Sequence, residues 1–88
     1  MRQEPEFYGD QELVLVYMAR RLKEALAVEE LFDAGGLDFA VEARSYQSGL
    51  LFPFSRVGAF FYVAPDLEAR AGDLLKSHGY EPCKQTRP

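Results

Sequence analysis

The chain is poor in the side chains from which reactive centres are usually built. Its 88 residues include one cysteine, Cys83, and one histidine, His78. A lone cysteine excludes an intramolecular disulfide, and a tetrahedral zinc site would have only His78, Cys83 and carboxylates to draw on. Neither a metal nor a cofactor is expected, and a reducing, cytoplasmic setting is the simpler expectation. Long apolar runs are lacking too. The longest, residues 13–19, falls far short of the roughly 18 to 20 residues that cross a bilayer, so it reads as a buried strand. Met1-Arg2-Gln3-Glu4-Pro5-Glu6 places acids and a proline where an export signal needs about seven or more apolar residues, so no export and no membrane association are expected. Positive charge is in deficit: 10 Lys and Arg stand against 14 Asp and Glu, a net charge of -4. That balance, with a pI near 4.9, disfavours a nucleic-acid partner, because phosphate contacts require a cationic face. No repeat, coiled-coil heptad, nucleophile–base pair or phosphate loop stands out. The sequence therefore specifies an architecture and no reaction.

What is present is core material. With 48% hydrophobic and 14% aromatic residues, the chain can form a packed interior, but at this length it hides only about 60 to 65% of its unfolded surface. That allows one domain over residues 1–88, with 1–10 and 81–88 expected as loosely ordered extensions. The hydrophobic period changes in a definite order. Residues 13–18 read as a strand, and residues 20–33 as a helix closed by Gly35 and Gly36. Residues 37–46 alternate, 57–63 form a second β-rich run, and 66–78 are helical and stopped by Gly79. This predicts an α+β fold in which two helices cover one face of an antiparallel sheet. A further short strand at 83–86 is confined to an edge by Pro82.

The two middle strands differ in patterning. Leu37, Phe39, Val41 and Ala43 point one way, and Asp38, Glu42 and Arg44 the other. In the next strand Val57, Ala59, Phe61 and Val63 make one apolar face while Gly58, Phe60 and Tyr62 make another. If helices cover the Phe61 face, Phe60 and Tyr62 lie on the open face near Tyr46. The second helix is expected to start at Asp66 as N-cap, with His78 as a cation in its last turn. In the first helix Arg20, Arg21 and Lys23 sit at the start and Glu29, Glu30 and Asp33 near the end, opposite to the preference of the helix dipole. It also lacks a Ser, Thr, Asp or Asn cap. Arg20 and Arg21 are thus the candidate anion-binding residues, against a plainer expectation that they pair with Glu24 one turn on. Residues 47–56 read as a connector, yet Leu50, Leu51, Phe52, Pro53 and Phe54 are consecutive and apolar, so they are expected to fold over the core or meet a partner.

The segments Val16-Tyr17-Met18-Ala19, Leu22-x-Glu24-Ala25 and Leu31-Phe32-Asp33-x-x-Gly36-Leu37, with Val63-x-Pro65-Asp66 and Leu74-Leu75, resemble the small bacterial domains described as prokaryotic signal-transducing proteins. Those domains are similar to the ferredoxin-like fold of the nitrogen-regulatory GlnB-like superfamily. The resemblance spans residues 13–79 and implies a β-α-β-β-α(-β) sandwich whose fourth strand is short or missing. It also implies a regulatory role in which residues 47–56 occupy the place of the partner-binding loop. Arg21 stands where the family tends to place Asn or Asp, which removes the expected cap. The loop is also shorter and greasier, so ligand and modification sites do not carry across. The stretch Arg56 to Val63 looks like the third-strand motif of RNA-recognition domains at Arg56, Ala59 and Phe60, but Gly58 and Val63 stand where stacking aromatics are needed.

The leading expectation is a non-catalytic regulatory or protein-interaction module acting as a homo-oligomer. Its interface draws on Tyr46, Phe60 and Tyr62 with Leu50, Leu51, Phe52 and Phe54 of the connector, and Arg20 and Arg21 take a small anion. The alternative is a small enzyme of the dimeric α+β barrel type, with Tyr46, Tyr62, Arg44 or Glu42 lining a pocket between sheet and partner. RNA binding ranks last.

Overall fold

The structure, a computed structural model, describes residues 1–48 and 54–83, with the backbone alone at 5, 46–48 and 54–56. Its centre is β3, Phe54–Val63. This strand is flanked on one side by β1, Val14–Ala19, and on the other by β2, Ala40–Ser48. Both pairings are antiparallel and the sheet order is β1-β3-β2. Two longer helices, α2 at Leu22–Ala34 and α3 at Glu68–Ser77, pack on the Phe61 side. Their buried residues Val28, Phe32, Ala71 and Leu75 join Val14, Phe39, Phe61 and Val63 in one core. The fold is α+β, with a three-stranded antiparallel sheet and helices on the predicted face.

Phe61 explains why the core sits there. It is fully buried, and its ring centroid lies 6.0 Å from Phe32, 5.9 Å from Phe39 and 6.4 Å from Tyr17. One ring from each of β1, α2, the approach to β2, and β3 therefore meets at a single point. Such pairs add about 0.5–1.5 kcal/mol each beyond the area they bury. Gly36, at φ 67, and Gly79, at φ 83, make the left-handed turns that end the two helices, which side chains with a Cβ resist.

Several sequence expectations shift. β1 is irregular: Leu15 pairs with Tyr62 and Tyr17 with Phe61, leaving Val16 as the extra residue of a bulge. Residues 1–10 form local structure and pair with the sheet. Arg2 bridges to Phe39 in parallel, Gln3 donates its N–H to the Phe39 carbonyl at 2.7 Å, and α1 forms at Pro5–Tyr8. This arm also supplies the cations that the end of α2 lacks, since Arg2 lies 3.2 Å from Glu29 and the N-terminal ammonium 3.3 Å from Asp33. Asp66 does not cap α3; it belongs to a 3-10 turn at Pro65–Leu67, closed by the Leu67 N–H on the Ala64 carbonyl at 2.9 Å. Proline's fixed φ starts that turn ahead of the helix. The described parts of the segment 47–56 are strand, because β2 runs to Ser48 and β3 begins at Phe54. Leu50, Leu51 and Phe52, and the 84–86 part of the expected edge strand, lie outside the described residues.

Candidate functional site

The start of α2 is built by a row of small residues. The register sets Ala19 opposite Ala59 and Ala59 opposite Ala43, so three methyl groups cross the helix-covered face at one level. With Ala25 above them, the first turn of α2 stands over a cavity of about 230 Å³ whose mouth carries Arg20, Arg21 and Leu22. Arg21 is the N-cap, with extended backbone and no side-chain hydrogen bond to the helix. The first bond closing the helix is the Ala25 N–H on the Arg21 carbonyl, at 3.0 Å. The N–H groups of residues 22–24 precede it and point out of the helix start. Among the described residues neither arginine makes a salt bridge. The expected pairing with Glu24 is thus not formed there; the Glu24 carboxylate bears instead on the Tyr17 hydroxyl. Burial first, then the neighbouring Glu24 carboxylate and the charges of Tyr80 and Cys83, push the Tyr17 hydroxyl up to about 12. The arrangement offers an anion two guanidinium groups and an apolar floor.

The opposite face of the sheet is uncovered by α2 and α3. There Leu15 and Met18 of β1 lie beside Tyr62 and Phe60 of β3, and these beside Ala40 and Glu42 of β2. The four larger apolar side chains are half-buried. The Arg44 guanidinium lies 5.2 Å above the Phe60 ring, a cation–π distance. It donates from Nη1 to the Tyr62 hydroxyl at 3.0 Å, while its Nε is 3.6 Å from Glu42 Oε1. At the other end of this face α1 closes over Ala40. Tyr8, Gln11 and Leu13 bound a cavity of about 470 Å³ against Ala40, Glu42 and Tyr62. Tyr8 is only 9% exposed, and its hydroxyl has no hydrogen-bond partner among the described residues. Burial, and then the charge of Asp38, raises its pKa.

Other chemistry-bearing groups are structural. The His78 Nδ1 lies 3.1 Å from the Leu74 carbonyl; a carbonyl only accepts, so this nitrogen donates and satisfies a free acceptor at the end of α3. Cys83 is a free, half-buried thiol whose backbone N–H reaches the Val16 carbonyl at 2.7 Å. Among the described residues no group of three or more His, Cys, Asp and Glu could hold a metal ion, and no helix is long and apolar enough to cross a membrane.

The structure thus brings Arg20 and Arg21 together at one corner, and sets Phe60 and Tyr62 on the open face with Arg44 and Glu42. Tyr46 takes its place in β2 opposite Arg56, and Phe54 in β3 opposite Ser48; their side chains lie outside the described residues. Val63 is fully buried in the core, and Gly58 has no ring to offer, so two positions of the RNA-type motif lack their stacking groups. Sequence reasoning allowed Phe7 and Tyr8 to fold back onto the open face but assigned them no element, and it did not foresee the influence of Glu24 on Tyr17. Pro5, one residue inside a helix start, was the available cue for α1. No local pattern links Tyr17 to Glu24, because the face on which Tyr17 lies depends on the bulge. The chain matches no family model, and neither a curated protein nor a solved structure shows significant similarity to it.

Proposed function

We propose that the chain is a non-catalytic regulatory or interaction module that works as a homo-oligomer and takes a small anion at the start of α2. The observation that carries the ligand reading is the cavity beneath Arg20 and Arg21, whose walls are the alanine row of the sheet. A phosphate, or a carboxylate with a short apolar body, matches two guanidinium groups over an apolar floor. We further propose the ferredoxin-like arrangement of the GlnB-like regulators. The order β1-β3-β2 and the Cys83 bond to the outer edge of β1 support it, since a fourth strand in that arrangement would lie along this edge.

Thermal melts in phosphate or butyrate test the anion site, with sodium chloride at matched ionic strength as the control for screening and a neutral osmolyte for exclusion effects. Phosphate or butyrate should raise the midpoint of the wild type and not that of Arg20→Ser/Arg21→Ser. The double variant alone should be more stable by a few tenths to about 1 kcal/mol, because serine supplies a cap and the dipole no longer faces two cations. Equal midpoint shifts in both proteins would reject the anion site.

The cavity between α1 and the open face favours the enzyme alternative in one respect, since it sets Glu42 and Tyr62 beside a space of about 470 Å³. Both groups are already engaged by Arg44. That engagement supports the binding reading over a reactive one.

A further inference from the structure

The outer edge of β2 is an unfinished strand pairing, and the geometry points to the same edge of a second copy of this chain as its occupant, joined antiparallel about a two-fold axis at Ala43 so that the two sheets become one. The inference rests on the homo-oligomer reading and names its interface. Phe39 shows which way the edge faces: its N–H reaches the Met1 carbonyl at 3.2 Å, and its carbonyl accepts the Gln3 N–H at 2.7 Å. Pairing of β2 with β3 runs without a bulge from Ala40 to Ser48, so the backbone groups of Val41, Ala43 and Ser45 point the same way as those of Phe39. Pro5 turns the arm aside into α1 before it reaches them. Among the described residues no strand pairs with them on that side. Residues 40–48 hold neither proline nor lysine, the usual means of blunting such an edge.

The helix side of the same edge carries matching apolar surface. Arg2 lies on Glu29 and the N-terminal ammonium on Asp33, which puts the arm against one stripe of α2. Leu22 and Leu26 continue that stripe at helical spacing, and Leu22 and Ala43 line one cavity. Leu22 is 76% and Leu26 52% exposed. The axis stands perpendicular to the joined sheet, so both α2 helices lie on one side of it and bring these leucines to the seam from both copies. Charge selects the register. An axis at Glu42 or Arg44 would set like charges directly across the seam, whereas an axis at Ala43 sets Glu42 across from Arg44 of the second copy. Arg44 keeps its place over Phe60 and on the Tyr62 hydroxyl, since the register asks only which charges stand across from one another. Ala43 then exchanges both backbone bonds with its own counterpart, and Val41 exchanges both with Ser45. The following pair, Gln47 with Phe39, is excluded because the arm already holds Phe39, and this ends the seam on both sides. An isologous contact of this kind closes at two copies.

Sedimentation equilibrium and amide hydrogen exchange on the full chain test the assignment. The wild type should behave as a dimer, twice the 10.0 kDa chain, in the tens-of-micromolar range. The amide protons of Val41, Ala43 and Ser45 should exchange about ten-fold or more slowly in the dimer than in the diluted monomer. Ala43→Pro removes the N–H at the axis, on the outward side of an edge strand where proline is tolerated, and should abolish the dimer while far-UV circular dichroism stays native. Leu26→Lys, at an exposed position, should weaken self-association about ten-fold or more, because two ammonium groups then face each other across the seam. A wild-type monomer would overturn both this inference and the homo-oligomer reading, and would leave the edge to a strand of another protein. A dimer whose Val41, Ala43 and Ser45 amides exchange as fast as in the diluted monomer, and which Leu26→Lys does not weaken, would overturn the seam alone and leave the homo-oligomer reading standing.

Discussion

Replacing Tyr17 by phenylalanine should reverse the order of stability between wild type and variant as the solution becomes alkaline. Tyr17 is 9% exposed, and its hydroxyl is held in the protonated form by burial and by the neighbouring Glu24 carboxylate, with Tyr80 and Cys83 adding repulsion toward a phenolate. The folded-state value is raised from 10.0 to about 12. The stability tied to this proton is therefore complete below pH ~10 and drains away as pH climbs toward ~12. The full span is worth at most about 2.7 kcal/mol, and partial access of solvent to the group brings the expected loss to about 1–2 kcal/mol. Near neutrality the two proteins should differ by less than about 1 kcal/mol, so the alkaline loss is enough to put the wild type below the variant. Urea titrations at a series of pH values from 7 to 12, followed by circular dichroism, supply both curves. Every other side chain is common to both proteins, so the difference between the curves isolates Tyr17. Curves that fall in parallel across the whole range would refute the idea that this hydroxyl is locked by the fold.

Two further substitutions probe the core and the arm. Phe61→Ala removes the ring on which Tyr17, Phe32 and Phe39 converge. It should cost about 3–5 kcal/mol in a urea titration, out of a total of about 4–13 kcal/mol for a chain of this length; a loss below 1 kcal/mol would contradict the convergence. Tyr8→Phe should raise stability by about 0.5–1 kcal/mol, because the buried hydroxyl has no partner among the described residues. A lower melting midpoint would show that this oxygen is satisfied.

Much of the sheet was legible because alternation is a local signal. The residues Leu37, Phe39 and Val41 read as the core face, and Leu37 and Phe39 are fully buried. The two apolar faces of residues 57–63 are equally visible, and with helices on the Phe61 face they put Phe60 and Tyr62 on the opposite one. The strand extensions were not legible. Residues 47, 48 and 54–56 lack a β-branched or alternating pattern, and the apolar run between them suggested a connector where the backbone continues as paired strand. The arm escaped because four helical residues carry no period; Tyr8 is fixed by packing on a face assembled from distant strands. At the candidate anion site, the arginines were visible but the alanine row was not. Ala19, Ala43 and Ala59 are unremarkable in sequence and form a cavity only through a register that also depends on the bulge in β1.

The bulge at Val16 bears on the size of the protein. A regular six-residue strand would send three side chains to the helices, yet Val14, Val16, Tyr17 and Ala19 are all buried there, while Leu15 and Met18 still pair with Tyr62 and Phe60. An inserted residue that would elsewhere throw a strand out of phase has become a fourth contributor to the interior. For a chain of 88 residues, whose ratio of surface to volume leaves little interior to spare, the irregular strand adds core without adding length.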